Sequence, residues 1–135
     1  MIRLTPEQRV FLTERHLATL TTLRPDGTPH VVPVAFTWDD ATALARMTAA
    51  DGSAKVRNVE QALELGDAAR AALCQFSGGR WLTLEGNLTV SRDPVEVADA
   101  ERRHAARYGP LEPDPNRVLL VLATERVTGS EYMTR

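Results

Sequence analysis

Cysteine, lysine and aromatic residues are all scarce in this chain, and each scarcity narrows what it can be. Cys74 is the single cysteine among 135 residues, so no intrachain disulfide can form. Its apolar context, AALCQF, reads as that of a small buried strand residue. His16, His30 and His104 stand far apart and match no familiar zinc spacing, so no metal is expected. Basic residues number 16 against 18 acidic ones, and the pI is near 5.9. The basic stripe of a nucleic-acid binder is therefore missing, and no nucleic-acid partner is expected. Apolar runs such as VLLVLA at 118–123 fall far short of the ~20 residues that span a bilayer. The polar start MIRLTPEQR lacks the features of a secretion signal, so the expectation is a cytoplasmic protein with no membrane partner.

What is present is ordinary globular material. A hydrophobic fraction of 43% and a charged fraction of 25% over 14.9 kDa fit one soluble domain, residues 1–135, able to build a core without disulfides or structural metal.

Local signals divide the chain into short elements. Thr5-Pro6-Glu7-Gln8 has the form of a capping box with proline at the first helical position, predicting a helix to about His16. LATLTTLRPDGTPHVVPVAFTWDD holds two β-rich runs around Asp26-Gly27, a hairpin signal, and Pro33 consigns the second run to an edge or bulge. ALARMTAA predicts a third strand. SAKVRNVEQALEL then predicts a helix capped by Ser53 and stopped by Gly66. RAALCQFSGGRWLTLEGNLTV is a second hairpin around Gly78-Gly79, in which Leu82, Leu84, Gly86, Leu88 and Val90 alternate to one face. Asp93-Pro94-Val95-Glu96 repeats the capping-box pattern before a helix through about Tyr108, ended by Gly109-Pro110. NRVLLVLATERVTGSEYM predicts a closing strand. About six strands, with helices mostly at the ends, predict a mainly β protein: a six-stranded antiparallel barrel with flanking helices.

The segment DGSAKVRN, residues 51–58, contains the only lysine; the other 15 basic residues are all arginine. A turn entering a helix offers unpaired N–H groups and the positive end of the helix dipole, so this segment can cradle an anion. Gly52 permits close approach, Ser53 and Lys55 add donors, and Arg46, Arg57 and Asn58 are near enough in sequence to complete a phosphate grip. By spacing alone, Ser53 could equally be a plain cap, with Lys55 and Arg57 as solvated charges.

The blocks LATLTTLRPDGTPHVVPVAFTWDD, ARMTAADGSAKVRN and LCQFSGGRWLTLEGNLTV together resemble the split β-barrel flavin and deazaflavin oxidoreductases, the superfamily that includes pyridoxamine phosphate oxidase. Within it the chain is most similar to the branch using coenzyme F420, and specifically to the F420-dependent biliverdin reductases. The resemblance implies that Arg46, Thr48, Ser53, Ala54, Lys55 and Asn58 hold the phosphate and tail of the coenzyme. The backbone of Val31, Val32, Pro33 and Val34 would lie against the deazaflavin ring, with Gln75 and Trp81 near the pocket. Taken alone, Trp81 suits a core or dimer contact as well. The resemblance also implies a homodimer with cofactor sites at the interface. One departure concerns the connection VEQALELGDAARAA after Asn58, which is longer than the resemblance leads one to expect.

No Ser-His-Asp, Cys-His or paired-carboxylate constellation is evident, as expected where a cofactor carries the reaction. The catalytic side chain, including the proton donor, is unassigned. For a tetrapyrrole acceptor, Arg80, Arg102, Arg103, Arg107 and Arg126 are available to meet propionates. The competing readings are an FMN enzyme on the same barrel and a non-catalytic carrier of F420 or haem, the latter with His30 as the one candidate axial ligand.

Overall fold

A computed structural model describes residues 2–134. The chain folds as α1 (Pro6–Thr13), β1 (Leu17–Leu23), β2 (Pro29–Val34), β3 (Thr37–Asp39), β4 (Leu44–Ala50), α2 (Ala54–Glu64), β5 (Arg70–Ser77), β6 (Arg80–Ser91), α3 (Pro94–Tyr108), β7 (Arg117–Gly129) and α4 (Glu131–Thr134). The strands form one antiparallel sheet in the order β2-β1-β5-β6-β7-β4-β3. Its two edges, β2 and β3, are consecutive in sequence, so Ala35-Phe36 carries the chain from one edge to the other and the barrel stays split. No helix among the described residues is long and apolar enough to cross a membrane.

The strand count is seven, not the six expected from sequence. The additional one is β3, three residues long and too short to leave an alternation. The predicted final strand also ends early: it stops at Gly129, and residues 131–134 form α4. Helix α1 ends at Thr13, short of His16, because Glu14 turns extended.

Elsewhere local chemistry sets the boundaries as expected. Thr5 and Gln8 close the capping box of α1 at 3.2 and 2.8 Å. Gly27 takes φ +85° in the β1–β2 turn, where a β-branched residue would be strained. Asp93 caps α3 through Val95 N–H, whereas Glu96 accepts from the Ser91 hydroxyl instead of closing a box.

Inward residues of β1, β4, β5, β6 and β7 build the core around Leu20, Met47, Leu73, Leu84 and Leu122, with Val56 and Val59 of α2 packed into it. Cys74 is not among them: it alternates with Leu73 and sits half-buried on the outer sheet face. A register shift between Glu85 and Gly86 bends β6 against β7. A side chain at Gly86 would meet the Ala123 carbonyl oxygen at 1.9 Å.

Candidate functional site

Strand β4 ends at Ala50, and Asp51-Gly52 turns the chain into α2, with Gly52 at φ +81°. Ser53 takes the extended backbone of an N-cap, but its hydroxyl caps nothing. Its Oγ is buried and has no hydrogen-bond partner. The first helical bond runs from Arg57 N–H to Ser53 O at 2.9 Å, which leaves the N–H groups of Ala54, Lys55 and Val56 without helical acceptors. No acidic residue occupies the first turn. This end of α2 thus combines free donors, the dipole's positive end, the half-buried Lys55 and an orphaned hydroxyl, a donor set suited to an oxyanion such as a phosphate.

One turn along, Asn58 is buried and donates from Nδ2 to Thr22 Oγ1 at 3.0 Å. That bond ties the helix face shared by Ala54, Lys55 and Asn58 to β1. Beside it lies a groove of about 210 Å³ lined by Thr22, Leu23, Arg24, Asn58 and Gln61 among others. Thr22 is in turn the register partner of His30 on β2, whose Nδ1 is buried without a partner.

Residues 31–34 are the last four of the six residues of edge strand β2, which pairs with β1 alone. Val31 and Pro33 point outward while Val32 and Val34 are half-buried. They border an outer sheet face on which Leu17, Phe76 and Trp81 are also exposed, Leu17 being 71% accessible.

Arg46 and Thr48 share the outer face of β4. Arg46 is engaged: its Nη1 lies 3.0 Å from Asp39 Oδ2, and Asp39 also faces Arg103 of α3 at 3.6 Å. Burial alone would raise the Asp39 pKa, but hydrogen bonds from Thr42 and Arg46 and the charge of Arg103 bring it below its usual value. Arg46 lines a groove of about 600 Å³ under α3, with Leu44, Thr89, Leu119 and Val121.

Gln75 lies at the far end of β1 from Asn58. It pairs in register with Ala18, four positions from Thr22, which is about 13 Å along a strand. It is fully buried, donates to Phe11 O at 2.6 Å and accepts from Arg107 Nη2 at 2.6 Å. The structure therefore brings Ser53, Ala54, Lys55 and Asn58 together, sets residues 31–34 along an open edge, and holds Gln75 inside the core.

The arginines offered for acceptor propionates are mostly occupied. Arg80 meets Glu14 at 3.3 Å and covers the Phe11 ring, and Arg102 and Arg103 both bind Asp99. Arg107 donates to Phe36 O at 2.5 Å and to Glu14 O, and burial pushes its pKa down. Beside it Tyr108 OH donates to the same Phe36 carbonyl at 2.8 Å. Arg102, despite its contact with Asp99, and Arg126, in register with Glu85, are the two exposed ones. Arg92, whose contacts reach the α2 entrance, carries no sequence signal beyond standing just before the Asp93 cap.

The chain matches the family described as pyridoxamine 5'-phosphate oxidase over residues 4–131. It is 46% identical over 128 residues to the F420H(2)-dependent biliverdin reductase of Mycobacterium tuberculosis (strain CDC 1551 / Oshkosh), covering 95% of this chain and 89% of that protein. Among solved structures, the conserved hypothetical protein Rv2991 of Mycobacterium tuberculosis superposes with a TM-score of 0.77 at 19% identity, over 96% of this chain and 86% of that one. An F420 reductase superposes with a TM-score of 0.69 at 24% identity, over 89% and 94%. These two likenesses speak to the fold, a split barrel. With a family match across nearly its whole length and a relative of 46% identity, the chain belongs to the pyridoxamine 5'-phosphate oxidase family.

Proposed function

We propose that this protein is an F420-dependent reductase that passes a hydride from reduced F420 to a conjugated acceptor, biliverdin or a related tetrapyrrole. The observation that carries the reading is the end of α2, where a buried, partnerless Ser53 hydroxyl meets three free N–H groups and Lys55. That cradle sits in a chain 46% identical to a protein named for F420 and biliverdin. Reduced F420 supplies the hydride when bound. The chain's own part is to fix the phosphate at Ser53, Ala54 and Lys55, with Asn58 tying that turn to β1, and to offer the Val31–Val34 edge as the surface beside the ring. Thr48 and Arg46, the latter on exchanging Asp39 for the coenzyme, extend the grip along β4, and Trp81 borders the acceptor side.

The active species is a homodimer. The exposed Leu17, Val31, Phe76 and Trp81 make one face of the sheet apolar, and a second copy laid on it would exclude water from the ring edge. Light scattering should report twice 14.9 kDa. We assign the activity to the cytoplasm, in keeping with a chain whose single cysteine forms no internal disulfide.

The deciding experiment has two stages. Fluorescence titration with F420 and with FMN should give tighter F420 binding; tighter FMN binding would overturn the coenzyme assignment. Anaerobic reoxidation of reduced F420, followed by its visible absorbance with biliverdin, with a quinone and with no acceptor, should then proceed with biliverdin and without NADPH. Turnover with quinone alone would refute the acceptor, and tight binding with no turnover across a broad panel would favour a carrier.

A further inference from the structure

Arg92 lies between β6 and α3, yet its guanidinium reaches 41 positions back along the chain to the turn that enters α2. Nη2 donates to Asp51 Oδ1 at 2.7 Å and Nε to Asp51 Oδ2 at 3.2 Å. Nη2 also lies 3.2 Å from Glu60 Oε2 on the second turn of α2. The hydrogen bond from Arg92 holds the Asp51 carboxyl below its usual range, while Asp51 first and Glu60 second push Arg92 upward. The three side chains are 35–48% exposed, a setting in which ion pairs add little to folding stability.

The location gives the pair another use. Asp51 stands two residues ahead of Ser53, so its charge bears on the donors that would receive a phosphate. Lys55 and Arg57 on the first turn favour an anion there, while Asp51 and Glu60 oppose it. We propose that Arg92 is a positioning residue of the anion site: by gripping Asp51 with two bonds and reaching Glu60, it cancels their field at the α2 entrance and lets the coenzyme's phosphate seat. This inference rests on the coenzyme reading above.

Four proteins test it: wild type, Arg92→Ala, Asp51→Asn and the double variant, each titrated with F420 at low and at high salt. Unmasking one unit charge roughly 7 Å from the anion, at an effective dielectric of about 50, between that of a protein surface and that of water as the exposure of these side chains implies, should weaken binding about fivefold in Arg92→Ala. Asp51→Asn should bind about fivefold tighter, the double variant should return close to wild type, and the differences should shrink as salt rises. An arginine that only braced the loop would leave the double variant as weak as Arg92→Ala, and that result overturns the proposal, as does unchanged binding by Arg92→Ala. If the wild-type protein ignores F420, the coenzyme reading fails first. The same four proteins are then titrated with FMN, whose phosphate tests the masking independently, and failure to bind either compound overturns both.

Discussion

Replacing Arg107 with methionine keeps much of the side chain's length and removes its hydrogen bonds. Gln75 Oε1, in a fully buried residue, then loses its charged donor, which costs about 1–3 kcal/mol. Phe36 O keeps the Tyr108 hydroxyl at 2.8 Å, and Glu14 O lies near enough to the surface to recruit water. Two ring contacts, over Phe36 at 4.8 Å and Tyr108 at 4.9 Å, add roughly 0.5–1 kcal/mol each. Against this, the variant no longer buries a guanidinium whose Nε has no partner, returning about 1 kcal/mol. The net expectation is a loss of about 1–4 kcal/mol. With an unfolding entropy of about 2.1 cal/mol/K per residue, the melting temperature should fall by about 4–14 °C. Urea denaturation at fixed protein concentration should show a lower midpoint at an unchanged slope. Adding Gln75→Met to Arg107→Met should cost at least about 1 kcal/mol less than the sum of the single variants, since the orphaned acceptor goes with its donor. A single variant within about 0.5 kcal/mol of wild type, or strict additivity, would refute the account of Arg107 as the tie between α3, β5 and the Ala35-Phe36 crossing.

Lys55→Ala should weaken F420 binding about 10- to 100-fold by fluorescence titration, the range for losing a hydrogen bond to a charged group; an unchanged affinity would make Lys55 a surface charge only. Gly86→Ala should destabilise by about 3 kcal/mol or more by calorimetry, because its Cβ would lie 1.9 Å from Ala123 O, whereas Gly79→Ala, with nothing within 4 Å, should be close to neutral. Burial and then the charge of Arg117 depress the His104 pKa from 6.5, so the unfolded chain binds the proton more readily than the folded one. Stability should therefore decline as pH falls through 6.5, and His104→Gln should flatten that part of the profile in pH-dependent denaturation.

Signals that act over a few residues were legible in the sequence. The Asp26-Gly27 turn, the Thr5 capping box, the edge role of the Pro33 strand and the inward series Leu82, Leu84, Leu88 all depend on near neighbours. Features set by distant partners were not. Gln75 reads as a pocket residue until Arg107, 32 positions away, is seen to satisfy it. Ser53 reads as a cap, and only the folded backbone reveals that its hydroxyl reaches no N–H. Arg46 reads as a free cation, but β3, itself too short to announce its presence, delivers Asp39 beside it. Cys74 could have been assigned outward from its alternation with Leu73, had residue type not outweighed register.

The open edge of β2 has a consequence for how the protein behaves in a crowded solution. A strand left unpaired at the edge of a sheet is also a template on which another strand can add, the first step toward aggregation. The uncharged, valine-rich run Val31, Val32 and Val34 has the high β-propensity that favours it. Pro33 interrupts the row of donors because it has no N–H, and its ring obstructs an incoming ladder. A valine there would restore a continuous sticky edge, so the same proline that marked this strand as peripheral in the sequence keeps the exposed surface from recruiting its own kind into fibres.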